Sequence, residues 1–332
     1  MTDYKEAGVD IDAANEGLSR IKKHVNSTFN KYTLSDIGSF GGCFNLPINK
    51  YKNPVLVSSA DGVGTKLLIA ALSGKHDTVG QCLVNHCVND ILVIGAKPLF
   101  FLDYFAAGKL DNDILENVIK GFAKACRENS CVLIGGETAE MPGFYDDNKY
   151  DVSGTIVGIV EKNNMLPNRI TEEGNLLIGL YSNGLHTNGY SLARKVLLSK
   201  YAIGEHINKL DSTIEDELLK VHRSYLPIIE EILDKPWLRS LSHITGGGII
   251  ENTHRVLNEG QDIEINWDSW EWPTIFKMIQ EDGNVKTEDM IRPFNLGIGL
   301  VLVIDKEHLA DLDNHLKSIK EDYAVIGKVV SK

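Results

Sequence analysis

The sequence has little basic charge for its length. Its 332 residues carry 34 Lys and Arg against 46 Asp and Glu, which gives a formal net charge of −12. Non-specific nucleic-acid binding depends on basic residues that neutralise phosphates, so this balance argues against a nucleic-acid partner. It does not argue against a small anionic substrate, because a local pocket can be positive, or can hold magnesium, on an acidic surface.

Cysteines and long apolar runs are also scarce. The five cysteines are odd in number and form no Cys-x-x-Cys pair, which argues against a disulfide framework and a zinc ribbon. We interpret them as reduced, mostly buried thiols. No apolar run approaches the roughly 18 residues that span a bilayer, and the acidic N-terminal segment lacks the apolar stretch of a signal peptide. We therefore expect a cytoplasmic protein without a membrane partner.

Length and composition indicate two globular domains. Hydrophobic residues make up 43% and charged residues 24% of the chain, which is ordinary for folded proteins. At roughly 150 residues per domain, the length predicts about two domains. The polar stretch 161–174 contains Pro167 and several Asn, so it is the candidate boundary. We predict an N-terminal domain over residues 1–166 and a C-terminal domain over residues 167–332.

Strands and helices alternate in both halves, which predicts an α/β or α+β fold. The pattern leaves the direction of the strands open. Helices are predicted at 10–26, 67–72, 78–94, after an Asp111 cap, at 190–200 and over most of 215–234. Strands are predicted at 54–60, 99–107, 131–134, 151–160 and 176–181, and a closing apolar strand at 297–304.

The segment 55–66, VLVSSADGVGTK, is the most informative part of the chain. A buried strand leads into a carboxylate and two glycines, and Thr65 and Lys66 then open a helix. Glycines let a backbone approach a ligand, and amides at a helix start suit phosphate oxygens. Lys66 can add positive charge, and Asp61 can offer Mg²⁺ a hard oxygen ligand. The spacing fits neither a P-loop nor GxGxxG, and a plain strand–turn–helix corner remains the alternative.

Further carboxylates stand in unusual places. Asp90 falls on the apolar stripe of its predicted helix, where a carboxylate should be paired or bound to a metal. Asp103, inside an apolar run, poses the same question. Glu137 and Glu140 follow a glycine pair, and one of them can complete a magnesium site with Asp61 and Asp90. A salt bridge or helix cap for Asp90, and a solvated loop position for either glutamate, are the alternatives.

Two glycine-rich polar loops in the second half each carry a histidine. SNGLHTNG contains His186, and HITGGG contains His243. Such loops before helices can hold phosphate, and histidine is a plausible general acid or base near neutral pH. Lone histidines are usually structural, which is the alternative for both. His86 and His222 have no such sequence context, and we interpret them as structural.

Eight motifs stand in order along the chain: DGVGTK, CVNDI, PLFFLDYFAAGKL, GGETAEMPG, YDVSGTIVGIVEK, HTNGYSLARK, HITGGGIIEN and RPFNLGIGLV. Together they resemble aminoimidazole ribonucleotide synthetase, the phosphoribosylformylglycinamidine cyclo-ligase family. The resemblance runs from about residue 4 to residue 330, and the GGETAEMPG and HITGGG segments distinguish this family from its superfamily. Asn85 and His86 stand where the family more usually has small or apolar residues.

The resemblance implies an activity and an assembly. Formylglycinamidine ribonucleotide and ATP would give 5-aminoimidazole ribonucleotide, ADP and phosphate, with Mg²⁺, in purine biosynthesis. ATP would phosphorylate the formyl amide oxygen, and a neighbouring nitrogen would then close the ring as phosphate leaves. Such chemistry needs charge neutralisation and positioning more than a protein nucleophile. The family also implies a homodimer whose N-terminal sheets pair into a barrel, with ATP near that interface.

The resemblance also implies roles for individual residues. Asp61, Asp90 and Glu137 would bind Mg²⁺ with ATP, and His186 and His243, with Asp61, would be the catalytic residues. The ATP-binding residues would be Gly62, Gly64, Thr65, Lys66 and, as a weaker candidate, Lys22. The substrate-binding residues would be Asn188, Thr245, Gly246, Gly247 and Gly248, of which the last four would hold the ribose 5′-phosphate.

Two alternatives stay open. One is another ATP-dependent phosphotransferase of the same superfamily, such as a selenophosphate synthetase, which would need a reactive Cys with a nearby Lys early in the chain. Cys43 followed by Phe44 does not supply that pair. The other is a non-catalytic nucleotide-binding homodimer, which would bind ATP without turnover.

Overall fold

The computed structural model describes residues 11–332, so the start of the helix predicted at 10–26 and part of the N-terminal resemblance lie outside the described residues. Internal contacts divide the chain into two compact units. Unit 1 contains the described residues up to Ile91 together with Lys97–Ile159, and unit 2 contains Leu92–Ala96 and Val160–Lys332. The domains predicted at 1–166 and 167–332 stay predictions, with ATP binding and dimerisation expected of the first and substrate binding expected of the second.

Unit 1 is a four-stranded mixed sheet with helices. Its strand order is β1-β4-β2-β3, in which β2 and β3 run parallel while β2 and β4 run antiparallel. The elements are α1 (Ile11–Asn26), β1 (Pro54–Gly62), α2 (Leu67–Ser73), α3 (Asp77–Leu92), β2 (Lys97–Ala107), α4 (Asn112–Glu128), β3 (Val132–Glu140) and β4 (Tyr150–Glu161).

The two faces of this sheet differ. Phe101, Phe105, Val152 and Ile156 are fully buried, and alternation along each strand places them on one face. The opposite face of β2 and β4 is only half-buried, and β1 alternates between exposed and half-buried positions. The exposed Leu56 lies on this edge strand. One face is therefore covered by the unit itself and the other remains partly open.

Helices α3 and α4 approach each other closely through glycines. A Cβ built on Gly80 would lie 2.3 Å from the carbonyl oxygen of Val118, and one on Gly121 would lie 2.3 Å from that of Asp77. Any side chain there would force the two backbones apart. The predicted cap at the start of α4 is confirmed, because the Asp111 carboxylate accepts hydrogen bonds from the amides of Asp113 and Ile114.

Unit 2 contains a five-stranded antiparallel sheet in the order β8-β10-β5-β11-β9 and a two-stranded β6-β7 sheet. Its strands are β5 (Leu176–Tyr181), β6 (His206–Ile207), β7 (Ser212–Thr213), β8 (Leu238–His243), β9 (Gln261–Ile265), β10 (Ile298–Ile304) and β11 (Tyr323–Ser331). Its helices are α5 (Tyr190–Leu197), α6 (Ile214–Leu218), α7 (Leu226–Ile229), α8 (Gly248–His254), α9 (Thr274–Gly283), α10 (Thr287–Ile291) and α11 (Leu309–Ser318).

Three predictions about these elements are wrong. The strand predicted at 131–134 continues to Glu140, so the GGETAE segment pairs with β2 as strand instead of forming a loop. The region 215–234 contains only the short helices α6 and α7. The apolar strand near 297–304 is not the closing one, because β10 lies inside the sheet and β11 follows it. All seven residues of β10 are buried, which explains its unbroken apolar sequence.

Among the described residues, no helix combines the length and the apolar character needed to cross a bilayer. All five cysteines are free thiols; four are buried and Cys43 is exposed.

Candidate active site

Two carboxylates and an imidazole meet in unit 1, at the end of β1 and on α3. Asp61 is the penultimate residue of β1, and His86 and Asp90 lie four residues apart on α3. His86 Nε2 lies 2.8 Å from Asp61 Oδ2 and 3.7 Å from Asp90 Oδ2. One ligand atom from each of the three lies within 4.8 Å of the other two. The fold therefore brings together Asp61 and Asp90, as the predicted metal site requires, and adds His86.

Neighbouring groups orient the two carboxylates. The Ser59 hydroxyl donates a hydrogen bond to Asp90 Oδ2 at 2.9 Å, and the Gly62 amide donates one to Asp61 Oδ1 at 2.6 Å. The side chains of Asp61 and Asp90 remain 44% and 26% exposed, whereas that of His86 is 6% exposed. Burial lowers the pKa of His86, but the hydrogen bond with Asp61 and the charges of both carboxylates outweigh it, so the pKa is raised.

Glu137 is not brought to this cluster within the described chain. It lies on β3, while Asp61 lies on β1, and the strand order puts these two strands at opposite edges of the sheet. Three strand spacings of about 4.8 Å separate such edges by roughly 14 Å. The role of Glu137 as a metal ligand stays a prediction, because the described chain does not bring its carboxylate next to Asp61.

The DGVGTK segment turns from strand into helix. Asp61 and Gly62 end β1, Gly64–Lys66 forms one turn of 3₁₀ helix, and α2 follows directly. Gly64 has φ +68°, which favours glycine. Together with Thr65 it is exposed.

The two predicted cationic ATP contacts differ in exposure. Lys66 is fully buried, and burial lowers the pKa of its ammonium, while a hydrogen bond with Cys82 opposes that effect. A phosphate contact would require Lys66 to leave this position. Lys22 is exposed on α1.

A cavity of about 440 Å³ lies within unit 1. Apolar side chains of α1 and α4 line it, together with the loop 36–42, β2 and β3. Asp36, Asp103 and Glu137 contribute its carboxylates. Burial, with a smaller contribution from the charge of Glu137, raises the pKa of Asp103 to about 7. The volume falls in the range of small-molecule sites.

Three imidazoles form a buried cluster in unit 2. His186, His222 and His243 are exposed by only 1%, 0% and 6%. The Nε2 atoms of His222 and His243 lie 3.1 Å apart, and His222 Nδ1 lies 3.2 Å from the Thr187 hydroxyl. The ring of His186 stacks on that of His222 with centroids 4.0 Å apart.

This arrangement constrains the protons of the cluster. A hydrogen bond between two imidazole nitrogens needs one N–H donor and one unprotonated acceptor, so His222 and His243 cannot both be protonated while it persists. A chain from Thr187 through His222 to His243 can therefore relay a proton. His186 has φ 60°, an uncommon conformation for a residue other than glycine, held in a tightly packed setting.

The two glycine-rich loops of unit 2 are joined by hydrogen bonds. The Gly246 amide donates to Asn188 Oδ1 at 3.0 Å. The Asn252 amide group donates to the carbonyls of Gly248 at 2.8 Å and Thr245 at 3.3 Å, which fixes the loop. The structure thus brings the predicted substrate-side residues of both loops together. They are Asn188, Thr245, Gly246, Gly247 and Gly248.

Family models match most of the chain. The N-terminal domain model of AIR synthase related protein matches residues 46–160, and the C-terminal domain model matches residues 172–332. A phosphoribosylformylglycinamidine cyclo-ligase from Trichlorobacter lovleyi is 48% identical over 330 residues, covering 99% of this chain and 95% of that protein. One from Bacillus cereus is 47% identical, covering 98% and 95%. The chain belongs to the phosphoribosylformylglycinamidine cyclo-ligase family.

Solved structures share the fold of this cyclo-ligase family member at low sequence identity. Thiamine-monophosphate kinase from Stenotrophomonas maltophilia gives a TM-score of 0.71 at 15% identity, covering 95% of this chain and 93% of that one. A structure of the hydrogenase maturation protein HypE in complex with ATP gives 0.67 at 16% identity, covering 96% and 86%. At such identities the likeness concerns the fold alone.

Sequence reasoning missed two histidines that contact predicted site residues of this cyclo-ligase family member. His86 precedes Asp90 by four residues, a spacing that puts both on one helix face and that offered a usable signal. His222 lies between α6 and α7, and no local pattern marks it; only folding brings it to His243.

Proposed function

We propose that this chain catalyses the ATP-dependent ring closure of formylglycinamidine ribonucleotide to 5-aminoimidazole ribonucleotide, with release of ADP and phosphate, in purine biosynthesis. The observation that carries the proposal is the 48% identity to a curated cyclo-ligase over 99% of the chain. Two carboxylates in unit 1 and an imidazole cluster in unit 2 support it, because they match the needs of phosphoryl transfer and proton transfer.

In the proposed reaction, Asp61 and Asp90 would hold the cation that accompanies ATP. Their oxygens suit Mg²⁺, which would neutralise phosphate charge when bound. The exposed residues Gly64 and Thr65 follow Asp61 closely in sequence and offer backbone amides to phosphate oxygens. ATP phosphorylates the formyl amide oxygen, because an amide oxygen is a poor leaving group until it carries a phosphoryl group.

The histidines act on the substrate in this proposal. His186 and His243 move protons as the neighbouring nitrogen attacks the activated carbon and phosphate departs. The Thr245–Gly248 loop binds the ribose 5′-phosphate, and Asn188, which accepts a hydrogen bond from the Gly246 amide, binds the substrate beside that loop. Neutral imidazoles are suited to accept a proton, and the His222–His243 pair keeps at least one ring neutral.

We also propose that the protein works as a homodimer in the cytoplasm. The half-open face of the unit 1 sheet and the exposed Leu56 on its edge strand β1 support pairing of two such sheets into a barrel. Such pairing would cover apolar surface that one chain leaves exposed. Sedimentation at several protein concentrations tests the state, and a Leu56→Glu protein should shift it toward monomer.

The testing experiment supplies purified protein, Mg–ATP and formylglycinamidine ribonucleotide. Aminoimidazole ribonucleotide is followed colorimetrically beside ADP release. We expect equal amounts of both products. ADP without the aminoimidazole product would favour another phosphotransferase of the superfamily, and ATP binding with neither product would favour a non-catalytic nucleotide-binding dimer.

A further inference from the structure

The cation site of unit 1 contains a donor that an all-oxygen magnesium site lacks. His86 is the buried member of the cluster, and its Nε2 lies within 4 Å of one oxygen of Asp61 and one oxygen of Asp90. Magnesium prefers oxygen ligands and retained water, whereas imidazole suits transition ions. The donor set therefore fits a divalent cation, but it contains an imidazole nitrogen in addition to the oxygen ligands that Mg²⁺ prefers.

The three donor atoms lie within 4.8 Å of one another, close to the spacing of ligands around one ion. Donor atoms about 2.1 Å from an octahedral ion lie about 3.0 Å apart when adjacent and about 4.2 Å apart when opposite. The measured separations from His86 Nε2 are 2.8 Å to Asp61 Oδ2 and 3.7 Å to Asp90 Oδ2. One ion can therefore contact all three donors after only small side-chain shifts.

The protein also fixes these donors in place. His86 is a buried residue of α3, the Ser59 hydroxyl donates a hydrogen bond to Asp90, and the Gly62 amide donates one to Asp61. Groups that orient metal ligands in this way commonly change metal affinity by about 10- to 100-fold.

We propose that His86 is a nitrogen ligand of this cation site, so that the site takes a first-row transition ion such as Mn²⁺ in preference to Mg²⁺. This inference rests on the proposed function, because the ATP chemistry is what calls for a cation between Asp61 and Asp90. A purely structural role, in which His86 only pairs with Asp61, is the competing explanation.

The test measures Mn²⁺ coordination in the full chain directly. Pulsed electron paramagnetic resonance of bound Mn²⁺ detects coupling to a coordinated ¹⁴N nucleus. We expect that coupling in the wild-type protein, its loss in His86→Gln, and its retention in His24→Gln, a control on α1. Calorimetric titration should show the ratio of Mn²⁺ to Mg²⁺ affinity falling about tenfold in His86→Gln.

Defined outcomes overturn the inference. Wild-type protein that binds no Mn²⁺, or binds it without nitrogen coupling, excludes His86 as a ligand, and so does coupling that persists in His86→Gln. Should that variant not fold, His86→Asn replaces it, and wild-type protein labelled with ¹⁵N-histidine must change the coupling pattern. Product formation is assayed separately, so a failure of the cyclisation proposal leaves the coordination result readable.

Discussion

The two candidate sites differ in the type of their reactive side chains and in how far those side chains are exposed. In unit 1 the reactive groups are carboxylates at a strand end and on a helix, and their side chains remain 44% and 26% exposed. In unit 2 they are three stacked or hydrogen-bonded imidazoles, none more than 6% exposed. The first site presents charge to solvent, whereas the second is part of the packed interior.

This difference decides how each site responds to change. Exposed charges contribute little to folding, so a substitution in unit 1 should separate activity from stability. Buried groups that pack and hydrogen-bond contribute to both, so the same kind of substitution in unit 2 should lower both. Three substitutions test the contrast, and a fourth concerns a buried histidine of unit 1 outside both sites.

The largest expected effect is that of Asp61→Asn on activity. Removing a charge that helps hold the cation should lower kcat about 10²- to 10³-fold. The free energy of unfolding should change by no more than about 1 kcal/mol, since the carboxylate is nearly half exposed. The coupled assay and thermal unfolding measure the two, with the exposed Asp147→Asn as control. Full turnover would remove Asp61 from the mechanism.

His186→Asn should lower both quantities in unit 2. Asparagine tolerates the φ of 60° at this position, so the backbone can stay in place while the stacked ring is lost. We expect kcat to fall about 10²-fold and the free energy of unfolding to fall by about 1–3 kcal/mol. A fully active and equally stable protein would contradict both the proton-transfer role and the packing argument.

Gly299→Ala tests the packing of the histidine cluster without replacing a proposed catalytic residue. A Cβ at this position would lie 2.0 Å from the Tyr225 hydroxyl and 2.6 Å from His186 Cε1. Overpacking should cost about 1–3 kcal/mol of stability and lower turnover as His186 shifts. Chemical denaturation and the coupled assay measure these effects. Gly204→Ala is the control, because its Cβ would meet no atom within 4 Å.

The smallest expected effect concerns pH and His76. Its Nδ1 lies 2.8 Å from the Tyr150 hydroxyl, and burial lowers its pKa below the ordinary 6.5, although nearby Asp111 and Asp77 oppose this. Because the unfolded chain takes up this proton more readily, the contribution of His76 to stability is complete above pH 6.5 and is lost as pH falls. His76→Gln should flatten the difference in unfolding temperature between pH 5 and pH 7. An unchanged difference would contradict the assignment.

Much of the fold followed from local pattern. The strand at 54–60 and the helix at 67–72 are confirmed, because alternation and helical spacing are local properties. The extent of β3 was missed, since its glycines resemble a loop in sequence while pairing with β2 keeps them extended. The brevity of α6 and α7 was missed because apolar spacing persists where tertiary contacts interrupt the helix.

By itself, the sequence determined the alternation of strands and helices and the glycine-rich loops. It also led to the hypothesis that Asp61 and Asp90 share one site. Tertiary structure alone decided that Glu137 lies at the far edge of the sheet from Asp61, that Lys66 is buried, and which histidines meet. Strand order and contacts between residues distant in the chain set those outcomes. His222 and His243 are 21 positions apart in the chain, and they become neighbours only when the chain folds and its core packs.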